Sequence, residues 1–271
     1  MSKSCCYCLP QYFTLLLFHS MILIMSSISF PSALLTTTTS TLPLTILETK
    51  DHNPNSFTQG WVQDEDTFYE SSGLYGQSFI NRYNHNSKTV SYLPYRYFAE
   101  GLTLLNDTLY LLTWKEETLL LIDKHTLKIT NTLPYKGEGW GLTHNDQQLI
   151  MSNGSSTLFF RNPKDFTITQ RLEIQHLDNI NELEYIEGII WANCWNDDHI
   201  YAINPRLSCV VGKIDLFSLR AKTLTPNNSN VLNGLAYDKA KNGLWVTGKR
   251  WPKRYLIALP STISLREKAC L

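Results

Sequence analysis

Tyr97-Phe98-Ala99-Glu100-Gly101-Leu102 is one copy of a pattern that the chain uses five times, and the only copy with a carboxylate at its key position. The others are Phe57-Thr58-Gln59-Gly60-Trp61, Gly139-Trp140-Gly141-Leu142, Asn181-Glu182-Leu183 and Leu232-Asn233-Gly234-Leu235. Each opens a strand-like run that is followed by a turn and a second apolar run. The residue before the glycine, or its equivalent, is Gln59, Glu100, Trp140, Asn181 or Asn233, in steps of 41, 40, 41 and 52 residues. A period near forty holding about four short strands is the signature of propeller blades, so the sequence predicts an all-β, five-bladed β-propeller.

A second ring of positions shares the register. Fourteen residues past the first four references stand Gly73, Trp114, Gly154 and Trp195; in the fifth unit the hairpin at 238–243 is two residues longer and the equivalent is Lys249. Strand core would hold Val, Ile or Leu at such places. Polar and large aromatic residues there predict a pocket at one end of the central channel.

Strands are expected at 57–63, 67–71, 78–83 and 89–93; at 98–104, 108–114, 118–122 and 128–133; at 140–143, 148–152, 157–161 and 167–174; and at 180–185, 189–194, 199–203 and 210–216. Asn84, Asp123, Asn162 and Asn204 recur at one turn in these four blades. An insert at 217–229 carries a short helix. The fifth blade has only three strands, 231–237, 244–247 and 255–259, and the unpartnered strand 42–49 supplies its fourth. Such N-to-C closure removes an exposed sheet edge. An irregular β-sandwich, the alternative, does not require a forty-residue register.

Residues 42–271 therefore read as a single domain. Residues 1–35 carry an apolar run from Tyr12 to Phe30 and read as a secretory signal or an uncleaved signal anchor, followed by a Thr-rich linker at 36–41. Three N-glycosylation sequons, at Asn106, Asn153 and Asn227, agree with the secretory pathway, whether the address is endoplasmic reticulum, vacuole or outside the cell. The chain would touch a membrane only through an uncleaved anchor. Lys+Arg and Asp+Glu both number 24, so nothing points to nucleic acid. Of six Cys, only Cys194, Cys209 and Cys270 lie outside the leader. An odd number gives no disulfide framework; a Cys194–Cys209 bridge is conceivable, but buried or unpaired thiols are the expectation, and no metal spacing appears.

Glu100 is the expected catalytic residue. Beside Phe98 and facing Trp114 and Trp140 it would be desolvated, which raises a carboxylate toward the range useful for proton transfer. A solvated turn Glu is the ordinary alternative, and the repeat register weighs against it. Lys249 is placed to balance Glu100 or an oxyanion. Gln59 and Asn181 offer amide hydrogen bonds to an amide-bearing ligand, whereas Asn233 reads as blade-to-blade bonding. Trp114, Trp140 and Trp195 would be walls; Trp61, Trp191, Trp245 and Trp251 read as packing. No G-x-S-x-G, no H-E-x-x-H and no phosphate loop occurs, so no cofactor is expected.

Phe57-Thr58-Gln59-Gly60, Phe98-Ala99-Glu100-Gly101-Leu102-Thr103, Gly137-Glu138-Gly139-Trp140, Asn181-Glu182-Leu183-Glu184-Tyr185, Trp191-Ala192-Asn193-Cys194-Trp195 and Trp245-Val246-Thr247-Gly248-Lys249-Arg250-Trp251-Pro252 resemble the plant and bacterial type glutaminyl-peptide cyclotransferases, over residues 45–260. Ala99, where the family has Gly, and Cys194, where it has a small aliphatic residue, depart from that pattern. The resemblance implies a metal-independent aminoacyltransferase that closes the N-terminal Gln of peptides or proteins to pyroglutamate and releases ammonia; the monomer expectation comes instead from the closed propeller, a form that often stands alone. The resemblance also implies a role for Phe57, Phe98 and the three wall tryptophans as a dry box around the glutaminyl side chain. A non-catalytic propeller that binds peptide or sugar in the same pocket is the competing reading.

Overall fold

The computed structural model describes residues 41–223 and 229–270. The leader, linker residues 36–40 and the Asn227 sequon lie outside them. Among the described residues no helix is long and apolar enough to cross a membrane. Two strands open the fold, β1 (Thr41–Leu42) and β2 (Ile46–Asp51). Blade one is β3 (Thr58–Asp64), β4 (Thr67–Ser72), β5 (Phe79–Tyr83) and β6 (Lys88–Tyr92); blade two is β7 (Ala99–Leu105), β8 (Thr108–Thr113), β9 (Thr118–Asp123) and β10 (Ile129–Pro134). Blade three is β11 (Leu142–His144), β12 (Leu149–Met151), β13 (Thr157–Arg161) and β14 (Ile168–Glu173); blade four is β15 (Ile180–Ile186), β16 (Ile189–Cys194), β17 (His199–Asn204) and β18 (Cys209–Asp215). Blade five is β19 (Leu232–Asp238), β20 (Gly243–Gly248) and β21 (Lys253–Ala258), with β2 as its outer strand.

Each blade is an antiparallel meander, and β3, β7, β11, β15 and β19 pack side by side into a closed ring. This is a five-bladed propeller. The meander is driven by local turn chemistry. Asn84, Asp123, Asn162 and Asn204 each accept a backbone N–H two residues on, in four equivalent Asx turns. The insert carries α1 (Phe217–Arg220) and a 3-10 turn at Ala221–Thr223.

Five apolar clusters fill the five blade interfaces, because each sheet buries both faces against its neighbours. The apolar cluster between blades five and one is the smallest, built on Trp61, Phe68, Ala236, Trp245 and Leu256. It is reinforced by Arg254, whose guanidinium lies 4.4 Å from the Phe68 ring centre and 5.2 Å from that of Trp245. Trp61, Trp191, Trp245 and Trp251 are all buried, as packing residues should be. Burying a ring of that size is worth roughly 4–6 kcal/mol as an upper bound.

Strand β2 pairs with β21, so the closure expected from the missing strand is present. The segment 42–49 is nevertheless not one strand. Pro43 has no N–H to continue a ladder, and the chain divides. Thr41–Leu42 pairs in parallel with Lys213–Ile214 as a fifth strand on blade four, with Leu42 buried. In blade three the inner pair is shorter than 140–143 and 148–152, because two residues oppose one at its end: the Trp140 N–H donates to the Ser152 carbonyl at 3.1 Å, the Ser152 N–H donates to the Gly141 carbonyl at 3.0 Å, and the Gly141 N–H turns to the Ser152 hydroxyl at 2.7 Å. The cysteine expectation holds for Cys194, a free, buried thiol, and is overturned for Cys209, which is bridged to Cys270. A link between residues 61 apart became possible because the C-terminal helix α2 (Thr262–Arg266) folds back on blade four, with Leu265 in its core.

Candidate active site

The reference residues sit where the inner strands break register. Bulges lie between Thr58 and Gly60, Ala99 and Leu102, Ile180 and Leu183, and Leu232 and Leu235. A bulge re-aims the side chain it carries. Immediately beyond, the blades touch backbone to backbone: a Cβ on Gly60 would stand 2.1 Å from Leu102 N, and one on Gly141 1.9 Å from the Asn181 carbonyl oxygen. The strands thus converge beneath the reference side chains and give the recess a floor.

Above that floor is one cavity of about 440 Å³, lined by Phe57, Gln59, Leu74, Phe98, Glu100, Trp114, Trp140, Asn181, Trp195 and Lys249. All nine residues singled out from the sequence meet there. Asn233 does not; its amide donates to the carbonyls of Thr58 and Gln59 at 3.0 and 3.1 Å, tying blade five to blade one. The glycines of the second ring are seats for aromatic rings. Phe98 lies on Gly73 and Trp140 on Gly154, with ring atoms 2.3 and 2.6 Å from where a Cβ would be. Phe98 and Trp114 pack at 5.4 Å, Trp140 and Trp195 edge-on at 6.4 Å. Trp195 is 52% exposed and forms the open rim rather than a closed wall.

Glu100 is 6% exposed and accepts a 3.3 Å hydrogen bond from the Gln59 amide. Its backbone is fixed by Ser71, whose hydroxyl donates to the Glu100 carbonyl at 2.6 Å. Burial pushes its carboxyl well above the usual range, the Lys249 charge opposes this, and the carboxylates of Glu138 and Glu116 add to it. Burial likewise pulls Lys249 below the ordinary lysine range, while Glu100 and Glu182 push it back. The Lys249 ammonium stands 4.9 Å from the Phe57 ring centre. Among the described residues, Gln59 Oε1 and Asn181 Oδ1 are buried without a partner. Two unsatisfied acceptors lining a cavity are what the N–H groups of an amide ligand would satisfy.

Three residues with a part in the site were not singled out from the sequence. Leu74 follows Gly73 of the second ring and holds an unusual backbone, φ 99°. Glu182 occupies the floor position at which the other four blades carry glycine. Its side chain crosses from blade four to accept the Trp61 N–H of blade one at 2.9 Å, fully buried. That break in an otherwise constant glycine was visible in the repeat. Glu138 accepts the indole N–H groups of Trp114 and Trp140 at 2.8 and 3.0 Å. Among the described residues no group of three or more His, Cys, Asp or Glu is arranged to hold a metal ion.

A family model described as glutamine cyclotransferase matches residues 19–259. The glutaminyl-peptide cyclotransferase of Arabidopsis thaliana is 36% identical over 219 residues, which are 77% of this chain and 68% of that protein. Among solved structures, the Myxococcus xanthus glutaminyl cyclase is similar with a TM-score of 0.74 and 32% identity, over 79% of this chain and 95% of that one.

Proposed function

The chain belongs to the glutamine cyclotransferase family, and from that premise we propose that it closes the N-terminal glutaminyl residue of peptides or proteins to pyroglutamate, with Glu100 moving the protons. The observation that carries this reading is a buried carboxyl and a buried lysine facing one aromatic-walled cavity, beside two unsatisfied amide oxygens. In the reaction the substrate's α-amine attacks its own γ-carboxamide carbon. Glu100 takes a proton from the attacking amine, and the Lys249 ammonium balances the oxyanion that forms on the carboxamide oxygen. Glu100 then returns the proton to the amide nitrogen, the C–N bond breaks, and ammonia leaves. Both reactants belong to one molecule, so the box of Phe57, Phe98, Trp114, Trp140 and Trp195 mainly has to hold the folded conformer and exclude water.

Each step is assigned to a side chain of this one chain, so the reaction as proposed calls for neither a metal nor a second subunit. The apolar leader and the sequons at Asn106 and Asn153, on exposed and part-exposed turns, support a glycosylated protein of the secretory pathway. The test is ammonia release from a Gln-initiated dipeptide by purified protein, with and without chelator, alongside Glu100→Gln. A cyclase releases ammonia under both conditions and loses it in the variant, by roughly 10²- to 10⁴-fold. Peptide binding without ammonia release would establish the binding-module alternative, and loss of activity on chelation would overturn metal independence.

A further inference from the structure

Trp114 and Trp140 wall the same cavity from different blades, and one oxygen atom joins them. Both indole N–H groups donate to Glu138 Oε2. The other carboxylate oxygen faces the Lys115 ammonium at 3.7 Å, and that ammonium sits 3.9 Å from the Trp114 ring centre. Glycines flank the acid. Gly139 is wedged against Tyr135 and the Thr113 carbonyl and donates to the Trp114 carbonyl at 2.9 Å, so the turn that presents Glu138 is itself anchored to blade two. Burial alone would raise the Glu138 carboxyl, but the bonds from Trp140 and Trp114 and the Lys115 charge bring it below the usual range. It is therefore an anion, and its bonds to the indoles are charge-assisted, the stronger kind.

We propose that Glu138 is a positioning residue that fixes the width of the glutaminyl box by holding Trp114 and Trp140 at one mutual angle. Glu138 does not line the cavity and acts only through the two rings it grips and the charge it sets near Glu100. The inference rests on the cyclase reading for its kinetic consequences and on geometry alone for its spectroscopic ones.

Glu138→Gln keeps an acceptor oxygen and loses the charge; Glu138→Ala loses both. The Ala variant is expected to raise KM by about ten- to a hundredfold and to shift tryptophan emission and acrylamide quenching in the ligand-free protein. The Gln variant should restore both readouts nearly to wild type, while the acid limb of its kcat/KM profile moves to lower pH, because a negative charge opposing Glu100 ionisation is gone. In a Trp114→Phe/Trp140→Phe background, Glu138→Ala should add less than about a twofold effect on KM, since its grip on the two rings is removed. Unchanged KM and emission in Glu138→Ala would overturn the proposal. So would a Gln variant as impaired as the Ala variant, or a full Ala penalty in the double-Phe background. Should the Ala protein fail to fold, Glu138→Met fills the volume without an acceptor and takes its place. A wild-type protein that releases no ammonia, with the emission differences intact, would sink the cyclase reading and leave the positioning role standing.

Discussion

The carboxyl of Glu100 is held where its own ionisation is opposed, and this has consequences for both stability and rate. Its folded-state pKa is raised, chiefly by burial. Below about pH 4.3 both folded and unfolded chains keep the proton. As pH rises from there toward the folded pKa, only the unfolded chain releases it, so the contribution of Glu100 to stability falls with rising pH. Glu100→Gln removes that loss. Its Tm should exceed the wild type near neutral pH, by roughly 2–4 °C for each kcal/mol relieved, and the gain should vanish near pH 4.3. Thermal melts of both proteins across pH check this; an equal Tm throughout would mean that the cavity does not destabilise the carboxylate. The catalytic counterpart is that kcat/KM for cyclisation should fall with acid at a pH above the ordinary glutamate range, since the base must be ionised. An acid limb at the ordinary value, in a rate profile of the wild-type protein, would contradict the assignment.

At the scale of elements, the least apolar joint is the one that closes the ring. His52 follows β2, and its ring bonds the Trp251 carbonyl at 2.9 Å and the Glu70 carboxylate on β4 at 3.0 Å. The same Glu70 oxygen accepts the Thr58 hydroxyl at 2.7 Å. Burial alone would lower the His52 pKa, but the Glu70 charge and hydrogen bond raise it, and His52 in turn lowers the pKa of Glu70 against burial. The two signs define a window. The His52 contribution is full below about pH 6.5 and is lost as pH rises through its raised folded pKa. The Glu70 contribution is full above about pH 4.3 and is lost as pH falls through its lowered folded pKa. Wild type and His52→Gln should therefore differ most in Tm between those values, and the gap should narrow on either side. A constant gap would show that the clasp acts by shape and not by charge.

Across the whole molecule, the five interfaces form one circuit, so an opened closure joint strains every other. The C-terminal segment is tied into that circuit by the Cys209–Cys270 bridge, on the fourth strand outward from the channel in blade four. Cys270→Ser should cost about 2–4 kcal/mol of stability, seen in denaturant unfolding, and leave ammonia release at moderate temperature within about twofold of wild type. Loss of activity in a protein that remains folded would mean that the tail supports the cavity itself.

The amino-acid sequence determined the blade count, the strand order, the closure by the N-terminal strand and the nine residues that share the cavity. It did so because a forty-residue repeat converts a linear register into an angular one: equivalent positions in successive blades must arrive at the same height around the axis. Chain separation stops being an obstacle once the period is known. Glu138, the His52–Glu70 clasp and the Cys209–Cys270 bridge belong to no repeat, and the repeat marks Glu182 without showing its reach to the Trp61 N–H. Each joins groups whose meeting depends on rotamer, on how far a strand bulges and on how the C-terminal helix folds back, quantities that only packing in three dimensions sets.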